Sequence, residues 1–186
     1  MIKYKKGNIF DFIYEENLEV ILHGCNCFCK MDDGIALQFG LNFPEIVLAD
    51  NLTIPKDKNK LGTYHPVNIK RFDKEFTILN CYTQFAFAGF DLETFDYFDY
   101  EAFENILKEV KANFSGKKIG MPLIGSGHAG GDVSRILNLI HQYLSNENVL
   151  IALYNTNSLP PQYSKISNQL VITYDEFIKK FKSLIS

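Results

Sequence analysis

Apolar positions recur with two different periods along the chain, which predicts an α/β protein. Apolar residues fall every three or four positions over 100–113 and 133–144, the spacing that lines one face of a helix. Short apolar runs typical of buried strands occupy residues 18–26, 76–82, 118–124 and 149–154. Strands that alternate with helices in this way are typical of an α/β domain.

Shorter segments extend this prediction. Residues 2–4 suit a short edge strand, and residues 63–69 suit a partner for 76–82 in a hairpin that turns at the charged stretch 70–75. The hairpin would add antiparallel pairing, so we expect a mixed sheet. Two more helices are predicted at 34–39 and 43–50, and the proline and charges of 53–60 predict a solvated connector.

The composition changes after residue 154. Residues 155–168 are rich in Asn, Ser and Pro and predict a loop, while 170–173 and 174–184 predict a last strand and helix. We find no internal repeat and no second domain. We therefore expect a single domain over residues 1–186, with a core at 1–154 and an extension at 155–186.

A glycine-rich segment gives the first indication of chemistry. Four glycines lie between Gly125 and Gly131, after the apolar run 118–124 and before the helical pattern that starts at Val133. A strand, a glycine loop and a helix form a typical phosphate site, because glycines let backbone N–H groups approach an anion. A second such unit consists of the strand 18–26, a loop that ends at Gly34 and the helix predicted at 34–39. Two units in one domain can hold two ends of one ligand.

Composition narrows the classes of protein. The 186 residues are 46% hydrophobic and 22% charged, as in a soluble globular domain. The net charge of −3 argues against electrostatic binding of nucleic acid. No run suits a bilayer span and the first residues lack a signal peptide, so we expect a cytoplasmic protein, and we expect a monomer.

Cysteines and aromatic residues each allow two interpretations. Cys25, Cys27 and Cys29 alternate along one segment, which is the wrong spacing for a zinc knuckle. We expect reduced thiols in or near strands, with no metal and no cofactor, and a metal site is the much less favoured alternative. Phenylalanines and tyrosines crowd residues 85–100 and predict either a surface loop or, less favoured, an aromatic wall over a nucleotide.

Three segments in order resemble the macrodomain family, which binds ADP-ribose. They are Gly7-Asn-Ile9, then Cys25-Asn26 with Met31-Asp-Asp-Gly-Ile-Ala36, and finally Ile124-Gly-Ser-Gly-His-Ala-Gly-Gly-Asp132. Leu79-Asn-Cys-Tyr-Thr-Gln84 and Met121-Pro-Leu-Ile-Gly125 are similar to the branch of ADP-ribose-1″-phosphate phosphatases, which includes yeast and phage members. The resemblance covers residues 1–154 and implies a three-layer α/β/α sandwich around a mixed sheet.

The resemblance also implies where a ligand lies. Adenosine would contact Asn8 and Ile9, and the distal ribose would lie near Asn26 and Asp132. The diphosphate would lie between the two glycine loops. The binding residues implied in those loops are Asp33, Gly34, Ile35 and Ala36, and then Ile124, Gly125, Ser126, Gly127, His128 and Ala129.

Two positions depart from the family pattern. Many macrodomains carry Asp where Asn8 stands, so adenine contacts are expected to be weaker. A branch that removes ADP-ribose from glutamate or DNA bases uses a lysine where this chain has Thr83-Gln84. Its absence favours the phosphatase: hydrolysis of ADP-ribose-1″-phosphate to ADP-ribose and phosphate. An ADP-ribosyl hydrolase acting on protein or nucleic acid, and a non-catalytic binding module, stay as alternatives.

Asp132 and His23 are the catalytic candidates. Asp132 could activate water or attack phosphorus, or it could simply cap the following helix. His23 could protonate the leaving oxygen, or it could be a histidine satisfied within the sheet. His128 could contact phosphate or face solvent.

Overall fold

The computed structural model describes residues 1–87, 89, 90 and 97–153, together with the backbone of 171–173. Five α-helices lie in these residues: α1 (Ile9–Glu15), α2 (Gly34–Asn42), α3 (Pro44–Asn51), α4 (Tyr100–Phe114) and α5 (Val133–Leu144). The strands are β1 (Ile2–Lys6), β2 (Val20–Asn26), β3 (Tyr64–Arg71), β4 (Lys74–Gln84), β5 (Lys118–Pro122), β6 (Asn148–Leu153) and β7 (Val171–Thr173). The predicted loop 155–168 and helix 174–184 lie outside the described residues.

The seven described strands form one mixed sheet in the order β3-β4-β2-β5-β6-β1-β7. The central pairs are parallel, whereas β3 pairs with β4 and β7 with β1 in antiparallel register. The predicted hairpin and mixed sheet are therefore confirmed. The edge position predicted for β1 is wrong, because Tyr4 pairs with Ile151 on one side and Ile172 on the other.

Helices cover both faces of the sheet, which confirms the three-layer sandwich. On one face, α4 and α5 bury their apolar stripes, including Phe103, Ile106, Ile136 and Ile140. On the other face, α1, α2 and α3 bury a second cluster that includes Ile13, Phe39 and Ile46. Among the described residues, no helix combines the length and hydrophobicity needed to cross a membrane.

The connector predicted at 53–60 differs from expectation. It contains a short 3₁₀ helix, Lys58–Lys60, and the Lys60 side chain points inward. Its ammonium donates to the Thr53 hydroxyl at 2.6 Å and to the Asp50 carboxylate at 3.3 Å. The Tyr82 hydroxyl donates to the same carboxylate at 2.8 Å. The charge of Lys60 is thus paired inside the protein, which composition alone does not reveal.

Candidate functional site

A cleft of about 820 Å³ opens at the carboxyl ends of β4, β2, β5 and β6. Parallel α/β sheets bind ligands at this edge, because the loops after the strands converge there. We refer to its two extremes as the β6 end, lined by Asn8, Ile9, Ala152 and Leu153, and the β4 end, lined by Lys30, Thr83, Gln84 and Phe87.

The structure brings every predicted binding residue to this one cleft. Its lining includes Asn8, Ile9, Asn26, Asp33, Gly34, Ile35, Ala36, Ile124, Gly125, Ser126, Gly127, His128 and Ala129. The two predicted catalytic residues, Asp132 and His23, do not line it.

Hydrogen bonds and close packing fix the shape of the loop between β5 and α5. The Ser126 hydroxyl donates to the Leu123 carbonyl at 2.7 Å, and the Gly131 N–H donates to the Gly125 carbonyl at 2.9 Å. Gly125 has a φ of +82° and lies against the Phe98 ring, so a Cβ there would come within 2.2 Å of that ring. The fold itself therefore requires glycine at this position.

Gly127 is different. A Cβ built on it meets no atom within 4 Å in the described protein. The backbone N–H groups of Gly127, His128 and Ala129 also have no acceptor in the part of the chain that the structure describes. A glycine that packing does not require, beside three unused donors, indicates space for a ligand anion.

The loop between β2 and α2 faces this glycine loop across the cleft. The Asn26 amide donates to the Lys30 carbonyl at 2.7 Å, and its oxygen accepts from the Phe28 N–H at 3.0 Å, so Asn26 holds the loop in shape. Asp33 caps α2 by accepting from the Gly34 N–H at 2.7 Å. The next N–H groups, of Ile35 and Ala36, belong to the first helical turn, where no helical carbonyl can accept them.

A hydrogen bond joins the two loops at the mouth of the cleft. His128 Nδ1 donates to Asp33 Oδ2 at 2.5 Å, with both side chains about two-thirds exposed. The Gly34 N–H and then the His128 ring lower the pKa of Asp33 below its usual value. Asp33 is therefore ionised at neutral pH, and it fixes the tautomer and orientation of an imidazole that lines the cleft.

Asp132 caps α5. Its carboxylate accepts from the Arg135 N–H at 2.7 Å, and its own N–H donates to the Tyr100 hydroxyl at 2.7 Å. The side chain is exposed, but it lies outside the lining of the cleft. The capping interpretation accounts for the contact that the Asp132 carboxylate makes with the Arg135 N–H.

His23 is fully buried in β2. Its Nε2 donates to the Asn80 side-chain oxygen at 2.7 Å, and its ring stacks on Phe39 with centroids 4.5 Å apart. Burial lowers the pKa of His23 to about 4, so the ring is neutral at pH 7. This is the arrangement of a histidine satisfied between the sheet and α2.

Sequence reasoning missed several side chains at the β4 end. Lys30 and Phe87 line the cleft, with the Lys30 ammonium 4.2 Å from the centre of the Phe87 ring. Thr83 and Gln84 occupy the position where one macrodomain branch carries a lysine, and both line the cleft. The available signal was the aromatic stretch after β4, whose simplest interpretation is an ordinary surface loop.

The cysteines near the cleft are not candidate nucleophiles. Cys25 lines the cleft but is buried, and burial raises the pKa of its thiol well above the usual value. Burial likewise raises the pKa of Cys27 to about 11. Both therefore stay protonated at neutral pH, and all four cysteines are free thiols.

A phage protein is similar to this chain in sequence, although no family model matches. It is an uncharacterized 17.5 kDa protein from the tk-vs intergenic region of Enterobacteria phage T4. The two sequences are 33% identical over 156 residues, covering 81% of this chain and 95% of the phage protein.

Solved structures share the fold. The macrodomain of Mycobacterium tuberculosis DarG has a TM-score of 0.61 and 22% identity, covering 83% of this chain and 99% of that one. Thermosipho africanus DarTG in complex with ADP-ribose has a TM-score of 0.64 and 18% identity, with coverage of 88% and 46%. A Trypanosoma brucei macrodomain in complex with ADP has a TM-score of 0.59 and 13% identity, with coverage of 100% and 69%.

Proposed function

The chain belongs to the macrodomain family, and on that premise we propose that its cleft binds ADP-ribose and hydrolyses ADP-ribose-1″-phosphate. One observation carries the proposal. Two facing loops line the same cleft with backbone N–H groups that have no acceptor among the described residues, from Ile35 and Ala36 on one side and from residues 127–129 on the other. Such a double cradle suits a diphosphate, whose two groups carry charges that backbone dipoles stabilise.

The two ends of the cleft then divide the ligand between them. The β6 end contains buried apolar residues such as Ile9 and Ala152, which suit a flat adenine ring. The β4 end contains the polar side chains of Lys30, Thr83 and Gln84 and suits the distal ribose with its 1″-phosphate. In this arrangement the mouth of the cleft, where Asp33 contacts His128, lies over the diphosphate and the distal ribose.

We assign the chemistry to His128, positioned by Asp33. Hydrolysis of a phosphate monoester adds water, breaks one P–O bond, and yields ADP-ribose and inorganic phosphate. With Nδ1 held by Asp33, the Nε2 atom of His128 can accept a proton from the attacking water. The backbone donors of the two loops stabilise charge on the phosphoryl oxygens.

Asp132 is the alternative base, and it would act from outside the residues that line the cleft. We do not assign a catalytic role to His23, because it is fully buried between Asn80 and Phe39 and is not among the residues that line the cleft. A binding module without catalysis would show the same two loops, so turnover has to be measured.

Release of inorganic phosphate from ADP-ribose-1″-phosphate tests the proposal. We expect the wild type to release phosphate. The rate should fall by about a hundredfold in His128→Ala, which is the usual effect of removing a general base, and by a similar factor in Asp33→Asn. Asp132→Asn is the matched control, because asparagine caps a helix nearly as well as aspartate. Loss of turnover in Asp132→Asn but not in His128→Ala would transfer the role of base to Asp132. Tight ADP-ribose binding without turnover by the wild type would show that the protein is a binding module and not a phosphatase.

A further inference from the structure

Four phenylalanines and three lysines form a surface that continues the β4 end of the cleft. Phe28 is the centre of this surface, and its ring contacts three others edge to face, with centroid distances of 5.3 Å to Phe85, 5.6 Å to Phe87 and 4.9 Å to Phe90. We call this surface the aromatic–lysine patch; its members are Phe28, Phe85, Phe87, Phe90, Lys30, Lys56 and Lys58.

Each lysine of the patch lies over one ring. The ammonium groups of Lys30, Lys56 and Lys58 are 4.2 to 5.5 Å from the centres of the Phe87, Phe28 and Phe85 rings, respectively. All three lysines are exposed, Phe90 is exposed as well, and Phe28, Phe85 and Phe87 are partly exposed. A flat group can displace an ammonium from the face of such a ring, and the freed lysine can then pair with an anion attached to that group.

The patch is not explained by packing or by internal ion pairs. Phe90 keeps 54% of its surface exposed, which is costly for a phenylalanine without a partner. Lys30 reaches Asp32 only at 3.7 Å, and both side chains are about half exposed or more, so this ion pair contributes little. The nearby Asp57 carboxylate accepts from the Asn59 N–H as a helix cap.

The patch and the cleft share residues. Lys30, in the loop between β2 and α2, and Phe87, after β4, belong to both, and they line the β4 end of the cleft. If ADP-ribose lies as proposed above, a group attached to the distal ribose leaves the cleft directly over this patch.

We propose that the aromatic–lysine patch binds single-stranded nucleic acid, with bases stacked on its phenylalanines and phosphates paired with its lysines. Aromatic rings interleaved with cations are the features that bind single strands regardless of sequence, because every base has a flat face. The net charge of −3 argues against a protein that envelops a duplex, but it does not oppose a local stacking site. A strand bound at the patch could present an attached ADP-ribose to the cleft. Only this last step rests on the proposed function, which places ADP-ribose in the cleft.

Fluorescence anisotropy with a labelled oligothymidylate of about ten nucleotides tests the patch, since single-strand sites span about 4–16 nucleotides. We expect saturable binding at low salt, and weakening by about tenfold in Phe90→Ala and in Phe28→Ala. Phe72→Ala is the matched control, because Phe72 is 94% exposed on the turn between β3 and β4 and lies outside the patch. Phe90→Ala removes an exposed ring, so that variant keeps the fold even if Phe28→Ala does not.

Two further arms identify the source of the affinity. The double variant Lys56→Ala/Lys58→Ala should reduce the slope of log affinity against log salt concentration by about 1.4. Each phosphate that is no longer neutralised accounts for about 0.7 of that slope. The control Lys70→Ala should leave the slope unchanged. A duplex of the same length should bind less tightly, because its base faces are covered. Saturating ADP-ribose should weaken oligonucleotide binding only in part, since Lys30 and Phe87 belong to both sites whereas Phe28, Phe85 and Phe90 lie outside the lining of the cleft.

Three results would overturn the assignment of the patch as a nucleic-acid site. They are the absence of saturable oligonucleotide binding, equal oligonucleotide affinities of Phe72→Ala and Phe90→Ala, and full competition by ADP-ribose. The failure of the proposed function would be distinguishable from these results. In that case ADP-ribose would fail to bind, while the oligonucleotide would still separate Phe90→Ala from Phe72→Ala.

Discussion

The two ends of the cleft rest on different kinds of support. Beneath the β6 end lie apolar side chains such as Ile9, Phe12 and Ile13, packed with little exposed surface. Beneath the β4 end lie buried polar pairs, with His23 bonded to Asn80 and Lys60 bonded to Asp50. Apolar packing tolerates small shifts, whereas a buried polar pair is stable in one geometry, because a broken pair leaves an unsatisfied group.

Because of this difference, we expect the β6 end to contribute mainly to ligand affinity and the β4 end mainly to substrate selectivity. An apolar end binds a flat ring through shape and burial, and its contribution is similar for any ligand that carries the ring. A rigid polar end discriminates, since it excludes groups that leave its donors and acceptors unpaired. We therefore expect variants at the β4 end to change substrate choice as well as stability, and variants at the β6 end to change affinity without changing substrate choice.

Lys60→Met should have the largest effect. It removes one partner of a buried ion pair and leaves the Asp50 carboxylate charged and nearly inaccessible, which costs about 3–5 kcal/mol of unfolding free energy. Lys58→Met is the matched control two residues earlier, where an exposed side chain should cost about 0.5 kcal/mol or less. Urea unfolding of both variants measures the difference. Equal losses would mean that the polar support of the β4 end is not specific.

The buried Lys60 also shows where sequence reasoning stops. Periodicity predicted the helices at 100–113 and 133–144 within a residue or two, because each buries one stripe against the sheet. The spacing of glycines predicted the loops, because their local backbone geometry is set by neighbouring residues.

Contacts between distant residues were not predictable in this way. Lys60 looked solvated beside Pro55 and Asp57, but it is paired with Asp50, ten positions earlier. The position of β1 inside the sheet depends on β7, more than 160 residues later. His23 and Asp132 are of residue types suited to catalysis, but only the folded chain shows whether such side chains reach the cleft.

His23 makes the β4 end sensitive to acid. Its pKa is lowered to about 4 in the folded protein, from 6.5, so the unfolded chain binds a proton first as the pH falls. Stability is therefore fully present above about pH 6.5 and is lost as the pH falls toward 4, by about 3 kcal/mol at 1.36 kcal/mol for each pKa unit. Unfolding curves of the wild type and His23→Asn at pH 7 and pH 4.5 measure this. Between pH 7 and pH 4.5 the unfolding free energy of the wild type should fall by more than that of His23→Asn. Equal decreases in the two proteins would show that His23 is not the titrating group.

Asn8 should have the smallest effect, confined to the β6 end. Asn8 accepts from the Phe10 N–H at 3.1 Å as the cap of α1, and aspartate caps equally well. Asn8→Asp should change the unfolding free energy by about 0.5 kcal/mol or less and strengthen adenosine binding modestly. Asn8→Ala should cost about 1 kcal/mol through loss of the cap. Calorimetric titration with AMP separates the ligand effect from the stability effect, and a change in substrate choice would contradict the division between the two ends.

Thermal unfolding with ADP-ribose and with AMP tests most directly whether the two loops hold one ligand. In the orientation proposed above, AMP would occupy the β6 end, but it carries neither the second phosphate nor the distal ribose. At a ligand concentration about a hundredfold above the dissociation constant for ADP-ribose, linkage predicts a stabilisation of about 2.7 kcal/mol. AMP at the same concentration should stabilise much less. Gly127→Val should abolish the ADP-ribose shift while keeping the stability of the free protein, because its side chain fills open space in the cleft. Equal shifts with AMP and ADP-ribose, or a full ADP-ribose shift in Gly127→Val, would contradict binding across both loops.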